Sequence, residues 1–585
     1  MRASTSRRAF RVVLIKPSHY DQDGYVIQWW RSTLPSNSLA SVYGLVEECV
    51  RARTLGPDVD IEIEACDECN TVVDVAGVAK RIRASGGGMV GLIGVQSNQF
   101  PRALDLGRQF RAHGLPVVMG GFHISGCIAM LPELPSDLKE ARDLGITLFA
   151  GEAEGRMAEV LCDVAAGTAK PVYNYLTDLP EMAAAVYPIL PREVVTRVAG
   201  HYSSFDAGRG CPFQCSFCTI INVQGRKSRY RTPDDVEAIV RANAGQGITR
   251  FFITDDNFAR NRDWEAILDR LIELREEHGI PLGLMIQVDT LCHKIKGFIE
   301  KCKRAGVTRV FIGLENVNPE NLAGAKKRQN KITEYRTMLL AWKAQGIITI
   351  AGYILGFPAD TPQTIRRDIA IIQHELPIDI VEFFCLTPLP GSEDHQVLWK
   401  DGTAMDADLN TYDVEHVCAA HPRMSKPEWE SIYREAWALY YTPAHMKTLL
   451  RRAAATGVPM GSLIKMLITF SLTVRLENVH PLQSGLLRMK HRSERRPGLP
   501  RESGWIFWPR LVGETIGKHA VLAVAAARLM LARLAIARDP AFADYMDTAL
   551  TPVRDDDDAT LDLLTKTTGG LAAVARLKRV AAVTH

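Results

Sequence analysis

The sequence lacks any long uncharged apolar run. No stretch of about 18 consecutive apolar residues without a charge occurs in this chain of 585 residues, so the sequence predicts no membrane-spanning helix. The basic start, MRASTSRRAF, is followed at once by the strand-like RVVLIKP, and that apolar run is too short for a signal peptide. We therefore expect a cytoplasmic protein.

Cysteine is also scarce. Twelve cysteines are spread over the chain, which is too few and too scattered for a disulfide scaffold and indicates a reducing compartment. A hydrophobic fraction of 46% and a charged fraction of 23% are typical of a soluble globular chain. A chain of this length should divide into about three or four domains.

An overall excess of charge is absent too, since the formal net charge is only +3. The distribution is uneven, however, with 16 Lys and Arg against 4 Asp and Glu between Tyr441 and Arg538. This surplus could form a basic face for a membrane surface or an anionic substrate, or it could be the solvated face of a helical cap. The solvated face is the simpler interpretation, and we expect no nucleic-acid partner.

Three of the cysteines stand close together. Cys211, Cys215 and Cys218 lie in GRGCPFQCSFC, with three and then two residues between them. An iron–sulfur cubane normally takes four cysteine thiolates, so three ligands would leave one iron open to bind something else. The alternatives are a zinc site or three core cysteines, but zinc takes four ligands and no fourth cysteine or histidine lies nearby. The spacing therefore indicates a reactive metal centre.

Residues 1–170 alternate short apolar runs with helical patterns. Five runs indicate buried strands: RVVLIK, DIEIEAC, MVGLIGV, LPVVMGG and ITLFAGE. This alternation predicts a doubly wound, Rossmann-like parallel sheet, which binds ligands at the carboxyl ends of its strands. Small residues at those ends let a large ligand approach the backbone. The candidate binding residues in these loops are Ser97, Gly120, Gly121, Gly151 and Glu152.

Residues 171–202 contain four prolines and indicate a linker, after which the strand–helix rhythm resumes over residues 203–400. Six strands are predicted there, in SFDAGRG, RFFITDD, LGLMIQVD, RVFIGLE, ITIAGYILGFP and IVEFFCLTPLPG. Six β/α units predict a partial TIM barrel with functional residues at the carboxyl ends of its strands. Residues 401–585 have mostly helical patterns and end in an acidic surface loop from Asp555 and a tail. The predicted fold class is α/β.

The cysteine motif and the six strand–helix units resemble the radical S-adenosylmethionine (SAM) enzymes. The resemblance implies a [4Fe-4S] cluster on the three cysteines, whose open iron chelates the amino and carboxylate groups of SAM. In that family an electron from a donor such as flavodoxin or ferredoxin cleaves SAM to a 5′-deoxyadenosyl radical. The segment from GVQSNQF to LFAGEAE is similar to the cobalamin-binding domain that precedes this core in one large subfamily.

The same resemblance assigns roles at the strand ends. Asp255 and Asp256 in TDDNF would engage the methionine moiety of SAM, although an Asp pair at a strand end is also a common helix cap. Glu315 in GLE would hold a ribose hydroxyl or the ammonium group. Gly356 in GYILGFP would leave room for adenine, and Phe217 would pack near it.

The loop after the first strand departs from the usual cobalamin pattern. The family motif D-x-H-x-x-G is replaced by KPSHYDQDGYVIQWW, and His19 lies one residue off the register of the cobalt ligand. We therefore expect His19 to be a loop or substrate-edge residue. Tyr25, Trp29 and Trp30 could border the pocket of an apolar or ring-containing substrate, or could staple two domains together. A first domain that binds nothing, or another ligand, also stays open.

Four further cysteines have two interpretations each. Cys66 and Cys69 in CDEC could form a redox or metal pair, and Cys385 and Cys418 could face the barrel cavity. Free cysteines are often buried as small apolar residues, so packing is the simpler interpretation for all four.

The resemblance as a whole implies a class B, cobalamin-dependent radical SAM enzyme. The expected activity is a C- or P-methyltransferase that acts on an unactivated centre of a small molecule. An oxidative cyclase or a ring-rearranging enzyme would use the same cofactors without methyl transfer. A tRNA-modifying methylthiotransferase is disfavoured because its N-terminal cysteine set and RNA-binding module are not apparent. A cobalamin or redox sensor would need no open cluster iron.

Overall fold

The first parallel sheet covers the amino-terminal part of the chain in this computed structural model, which describes residues 8–552. The predicted acidic loop from Asp555 and the tail after it lie outside the described residues. All five predicted strands are present, and a sixth one at the edge was concealed by the proline-rich pattern of residues 171–202. In spatial order the strands are Val59–Asp67, Arg8–Lys16, Gly88–Ile93, Val117–Gly120, Thr147–Ala150 and Val172–Asn174.

Neighbouring strands of this sheet are all parallel, so each connection crosses over through helical structure. The strand order reverses beside the first strand, and ligands bind at such a switch point in open α/β sheets. The connecting and covering helices are Asn37–Ala52, Val75–Ala84, Phe100–Ala112, Phe122–Met130, Ser136–Asp143 and Met157–Ala166.

The second sheet is the predicted partial barrel. Its six parallel strands follow one another in sequence order, and each one matches a predicted run. The strands are Tyr202–Phe205, Arg250–Ile253, Gly283–Val288, Val307–Glu315, Ile348–Leu355 and Ile380–Cys385. The helices between them are Pro233–Ala244, Trp264–Glu276, Phe298–Ala305, Pro319–Gly324, Tyr335–Ala344 and Pro362–Glu375. This order places all six carboxyl ends, and the loops that follow them, on one side.

The rest of the described chain is mostly helical, as predicted. Its longer helices are Glu393–Lys400, Lys426–Tyr440, Pro443–Ala455, Met460–Glu477 and Gly504–Arg538. Two paired strands were not predicted: Gly485–Met489 pairs antiparallel with Gln28–Ser32 from the loop after the first strand. Trp29 is buried at this junction, and its Nε1 donates a hydrogen bond to the Gln483 carbonyl 2.9 Å away. Trp29 therefore joins two distant segments of the chain, which is the second of the two roles considered for these aromatic residues.

The sequence predicted no membrane-spanning helix, and the helix Gly504–Arg538 is the part of the described chain that bears on this prediction. This helix of 35 residues is long and apolar enough to cross a membrane by length and composition, and only 11% of its most apolar window is buried. A search for unbroken uncharged runs missed it because Arg528 and Arg533 interrupt the apolar sequence. Length and composition alone do not show that it spans a bilayer.

The last barrel strand buries an acid without a hydrogen-bond partner. Glu382 is 1% exposed, its Oε1 accepts no hydrogen bond, and burial raises its pKa to about 8. The Nδ1 atom of His480 lies 3.8 Å from that oxygen, and burial lowers the pKa of His480 to about 4. Both side chains are therefore neutral at neutral pH.

We expect Glu382→Gln to stabilise the protein increasingly as the pH rises. The pKa of Glu382 is about 8 in the folded protein against an ordinary 4.5, so the wild type loses stability as the pH rises between those values. An amide cannot ionise, so the variant should gain about 1 to 3 kcal/mol over the wild type near pH 9 and clearly less near pH 5. Urea unfolding at both pH values measures this, with the exposed Glu277→Gln as control. A gain that does not change with pH would contradict a buried neutral Glu382.

Candidate active site

Two adjoining cavities lie at the carboxyl ends of the two sheets. The first has a volume of about 290 Å³ and the second about 510 Å³. Five residues line both: Asn37, Ser38, Gly94, Phe122 and Ile220. The first cavity is largely apolar and extends along the first sheet beside Leu14, Val118 and Phe149. The second reaches from His19 to His480 and so borders all three parts of the chain.

The cysteine segment follows the first barrel strand and is bracketed by a short antiparallel pair, Gly208–Arg209 with Arg229–Tyr230. Cys215 is buried, and the other two cysteines are half-buried. Burial, with a smaller contribution from the neighbouring cysteines, raises the pKa of Cys211 to about 11 and that of Cys218 to about 12. The three thiols therefore lie near enough to act on one another electrostatically.

The donor set of this segment fits a cluster better than a single ion. Across residues 8–552, no three His, Cys, Asp or Glu side chains gather into a group that could hold one metal ion. A zinc site needs four ligands around one point, whereas a cubane distributes its thiolates over different iron atoms. Three neighbouring thiols that do not converge on one point are compatible with a cubane.

The acidic pair divides between two roles, because adjacent residues at a strand end point in opposite directions. Asp255 accepts hydrogen bonds from the Ala207 amide at 2.6 Å and from Asn261 Nδ2 at 3.2 Å, so it holds the backbone before the cysteine segment. Asp256 lines the first cavity, and its Oδ2 is buried without a hydrogen-bond partner. Burial raises the pKa of each acid to about 7. Asp256 is thus the member of the pair with an acceptor still available for a ligand.

Glu315 is held by a lysine that sequence reasoning missed. Glu315 ends its strand with a left-handed φ of 63°, and its carboxylate forms an ion pair with Lys327. The Nζ of Lys327 also lies 5.7 Å from the ring centre of Phe217. Burial lowers the pKa of Lys327, but Glu315 and the neighbouring Cys215 outweigh it and raise the value to about 12. A permanent positive charge therefore lies beside the cysteine segment, where it would favour thiolates.

We expect Lys327→Met to weaken both cluster retention and SAM binding. The substitution removes the cation beside Cys215 and leaves the Glu315 carboxylate without its ion-pair partner. Groups that support metal ligands typically contribute about 10- to 100-fold in affinity. Iron content after reconstitution and equilibrium dialysis of SAM measure the two effects. Lys326→Met is the matched control, because that neighbouring lysine pairs with the exposed Glu393. Equal losses in the two variants would contradict a specific role for Lys327.

Gly356 is required by packing. Its φ is 104°, and a Cβ there would lie 1.8 Å from Cζ2 of Trp429. Its amide donates a hydrogen bond to Asp360 Oδ2 at 2.9 Å. The ring of Phe217 lies 6.2 Å from that of Phe357 in an edge contact, so an apolar surface does exist beside the cysteine segment. That Gly356 and Phe217 flank adenine stays a prediction.

The predicted binding residues of the first sheet do gather at the cavities. Gly120, Gly121, Gly151 and Glu152 line the first cavity, and Ser97 lines the second. A Cβ on Gly121 would lie 2.2 Å from the Val95 amide nitrogen, so two strand-end loops meet there only because the residue is glycine. The Ser97 hydroxyl lies 3.1 Å from Nδ1 of His123.

Glu152 also belongs to an ion-pair cluster that the sequence did not reveal. Arg209, from the segment before the cysteines, contacts Glu152 at 2.7 Å, Glu154 at 2.7 Å and Asp206 at 3.0 Å. Arg229 forms a second ion pair with Glu152. These five side chains, which we call the interdomain ion cluster, join the first sheet to the cysteine segment.

His19 lies at the edge of the second cavity, in keeping with the expected position. It is 4% exposed, and burial lowers its pKa to about 4, so its imidazole is neutral. Cys69 lines the same cavity, with Lys16 Nζ 3.0 Å from its sulfur, whereas Cys66 is half-buried outside it. A redox or metal role for this pair stays a hypothesis.

Cys385 and Cys418 are both buried, and each is at most 2% exposed. Cys418 donates a hydrogen bond to the Thr411 carbonyl at 3.0 Å. Neither residue is among those lining the two described cavities, which favours the packing interpretation.

Comparison with known proteins assigns the class. Residues 207–372 match the radical SAM superfamily. The partial barrel with its cysteine segment is therefore the part of the chain that matches this superfamily, whose members use a [4Fe-4S] cluster and SAM.

Particular relatives are methyltransferases. The chain is 26% identical over 293 residues to the hopanoid C-2 methylase of Rhodopseudomonas palustris, which covers 49% of this chain and 53% of that protein. It is 27% identical over 322 residues to the bacteriochlorophyllide d C-12(1)-methyltransferase of Chlorobaculum tepidum, covering 54% and 66% respectively. The chain thus spans about half to two thirds of the length of these two relatives.

Solved structures share the fold. The radical SAM methyltransferase TsrM from Kitasatospora setae superposes with a TM-score of 0.55 at 16% identity, covering 73% of this chain and 89% of that one. The cobalamin-dependent SAM radical enzyme OxsB superposes with a TM-score of 0.53 at 12% identity, covering 89% and 83%. At these identities the likeness shows the common α/β fold.

Proposed function

We propose that this protein is a cobalamin-dependent radical SAM methyltransferase that acts on carbon or phosphorus in a small molecule. The observation that carries the proposal is the pair of adjoining cavities between the carboxyl ends of a doubly wound sheet and those of a radical SAM barrel. The two curated relatives are named as methyltransferases, and TsrM has been solved with cobalamin and a [4Fe-4S] cluster bound.

In this proposal Cys211, Cys215 and Cys218 ligate the cluster. When bound, the cluster supplies the electron that cleaves SAM and starts the radical reaction. Asp256 offers its unpaired Oδ2 to the ammonium group of SAM, since it is the acceptor that faces the cavity. The ion pair of Glu315 and Lys327 places a positive and a negative charge beside the cysteine segment. Phe217 provides an apolar surface for adenine.

Cobalamin would occupy the first cavity and part of the second. The apolar walls at Leu14, Val118 and Phe149 suit the tail of the cofactor, and glycines at the strand ends permit a close approach. When bound, cobalamin supplies the methyl carrier. The interdomain ion cluster would fix the position of the first sheet relative to the barrel. Both cofactors and the substrate would then share one space from which water is excluded.

We propose the same partners and division of the chain as the sequence indicated. The partners are a small-molecule substrate and a one-electron donor such as flavodoxin or ferredoxin; the sequence left a membrane contact of the basic C-terminal region open. The proposed domains are 1–170, a linker over 171–202, the barrel over 203–400, and 401–585. The strand Val172–Asn174 completes the first sheet, so the first domain extends four residues into that linker.

Anaerobic reconstitution with iron, sulfide and cobalamin, followed by reduction in methyl-deuterated SAM, tests the proposal. Deuterated methyl should reach cobalamin and then a product, together with 5′-deoxyadenosine. Deoxyadenosine with no label in any product would instead favour oxidative cyclisation or ring rearrangement in the same cavities. A protein that binds cobalamin but never cleaves SAM would contradict the enzymatic proposal and leave a sensor.

A further inference from the structure

The helix Gly504–Arg538 has its apolar side facing outward. Its inner side packs against Pro443–Ala455 and Met460–Glu477, yet within the helix only Phe507, Leu529 and Ile536 are fully buried. The exposed side chains include those of large apolar residues along its whole length: Trp505, Ile506, Trp508, Val512, Ile516, Val524, Met530, Leu531 and Leu534. We call these nine residues the outward face.

Two charged residues of this helix are held in ion pairs with neighbouring segments. Arg510 forms an ion pair with Glu502 at 2.9 Å, and Lys518 forms one with Glu477 at 2.8 Å. Among the described residues 505–537, the exposed positions hold no acid, and their polar side chains are those of His519 and Arg528. A surface helix of a soluble protein has the reverse arrangement, with apolar residues inward and charges outward.

Other apolar side chains are exposed next to the helix. Leu487 lines a crevice together with Leu511 and Lys518, so the strand Gly485–Met489 lies against the helix. On this strand and its partner, Leu486, Leu487 and Trp30 are each about half exposed, at 50%, 46% and 53%. Exposed apolar side chains on two neighbouring elements, together with the nine on the helix, are typical of an interaction site.

The charge of this region selects the occupant. Residues 441–538 contain 16 Lys and Arg but 4 Asp and Glu, which suits an anionic lipid surface. Exposed tryptophans, Trp505 and Trp508, are the side chains that favour the boundary between headgroups and acyl chains.

The orientation follows from length and charge. A helix of 35 residues is about 50 Å long, well beyond the roughly 30 Å of a bilayer's hydrocarbon core. Spanning would also place the paired Arg510 and Lys518 in hydrocarbon and remove the inner side from the helices it packs on. The helix therefore suits a position in the plane of the interface.

We propose that the outward face rests on the surface of an anionic lipid bilayer and holds the enzyme there as a monotopic protein. This inference needs neither the cluster nor cobalamin, so it can fail or succeed independently of the proposed function.

Vesicle flotation of the full chain tests the proposal. Vesicles of phosphatidylcholine alone are compared with vesicles that contain about 30% phosphatidylglycerol, whose charge attracts basic residues near the surface. We expect the wild type to float with the anionic vesicles and much less with the neutral ones. Val512→Glu combined with Val524→Glu should reduce the bound fraction about tenfold, because each places a carboxylate in the interface. Val397→Glu is the matched control, since Val397 is 47% exposed on a different helix, and it should bind as the wild type does.

Three outcomes would overturn the proposal. One is a folded wild type that floats with neither kind of vesicle. Another is a dimer in solution that the double variant converts to a monomer, which would make a second copy the occupant. The third is shielding of Trp505 from iodide without vesicles, measured as the difference in quenching between the wild type and Trp505→Phe. That result would show that another part of the chain, such as residues 553–585, already covers the face.

Discussion

Cys215→Ser should abolish the formation of 5′-deoxyadenosine from SAM under anaerobic reducing conditions. Cys215 is the buried member of the cysteine trio, and Gln329 Nε2 and Lys327 lie beside its sulfur. A serine hydroxyl stays protonated and is a poor iron ligand, so the cluster would keep two of its three thiolates. Loss of an iron ligand should cost more than loss of a supporting group, so we expect activity to fall by at least about 100-fold.

The matched control is Cys162→Ser, because Cys162 is exposed on the helix Met157–Ala166 of the first sheet. Iron content, the visible absorbance of the cluster and the deoxyadenosine yield should fall together in Cys215→Ser and stay at wild-type values in Cys162→Ser. A Cys215→Ser protein that retains a full complement of iron and cleaves SAM would refute the assignment of this trio.

Arg209→Met should have the largest effect on stability. The arginine is 9% exposed and contacts three carboxylates, those of Glu152, Glu154 and Asp206. Removing it leaves buried like charges facing one another, and breaking a buried ion pair costs about 3 to 5 kcal/mol. Since two of those carboxylates belong to the first sheet, the affinity for cobalamin should fall together with the free energy of unfolding.

Urea unfolding with and without cobalamin measures both effects. Arg241→Met is the control for stability, because its partner Glu237 is on the same helix and the arginine is exposed, so the loss should stay within about 1 kcal/mol. Arg209→Lys keeps the charge but not the three-way geometry and should give an intermediate loss. This variant also keeps the test usable if Arg209→Met does not fold. A wild-type free energy of unfolding in both Arg209 variants would argue against the interdomain ion cluster as the joint between the sheets.

The sequence predicted the strands well, because a buried parallel strand is a short apolar run that can be recognised locally. It also located the cysteine trio, whose members are neighbours in the chain. It could not separate Asp255 from Asp256, since which of two adjacent carboxylates faces a cavity depends on the register of the strand.

Contacts between distant segments were the main omission. Lys327 and Arg209 stand in no recognisable pattern, and their partners become neighbours only after the chain has folded. The pairing of Gln28–Ser32 with Gly485–Met489 joins segments more than 450 residues apart, and neither strand is long enough to be predicted alone. The helix Gly504–Arg538 lies in the region that the sequence predicted to be helical. Only the fold shows which side of it faces outward.

The pairing of Gln28–Ser32 with Gly485–Met489 has a consequence for how the molecule moves. The segment after the barrel returns to the first sheet and closes a loop, so the two sheets are joined at the linker and again through this ribbon. This second connection restricts how far the two sheets can separate. Entry to the cavities therefore depends on small movements of the loops at their rim, and heating should melt both sheets in a single transition.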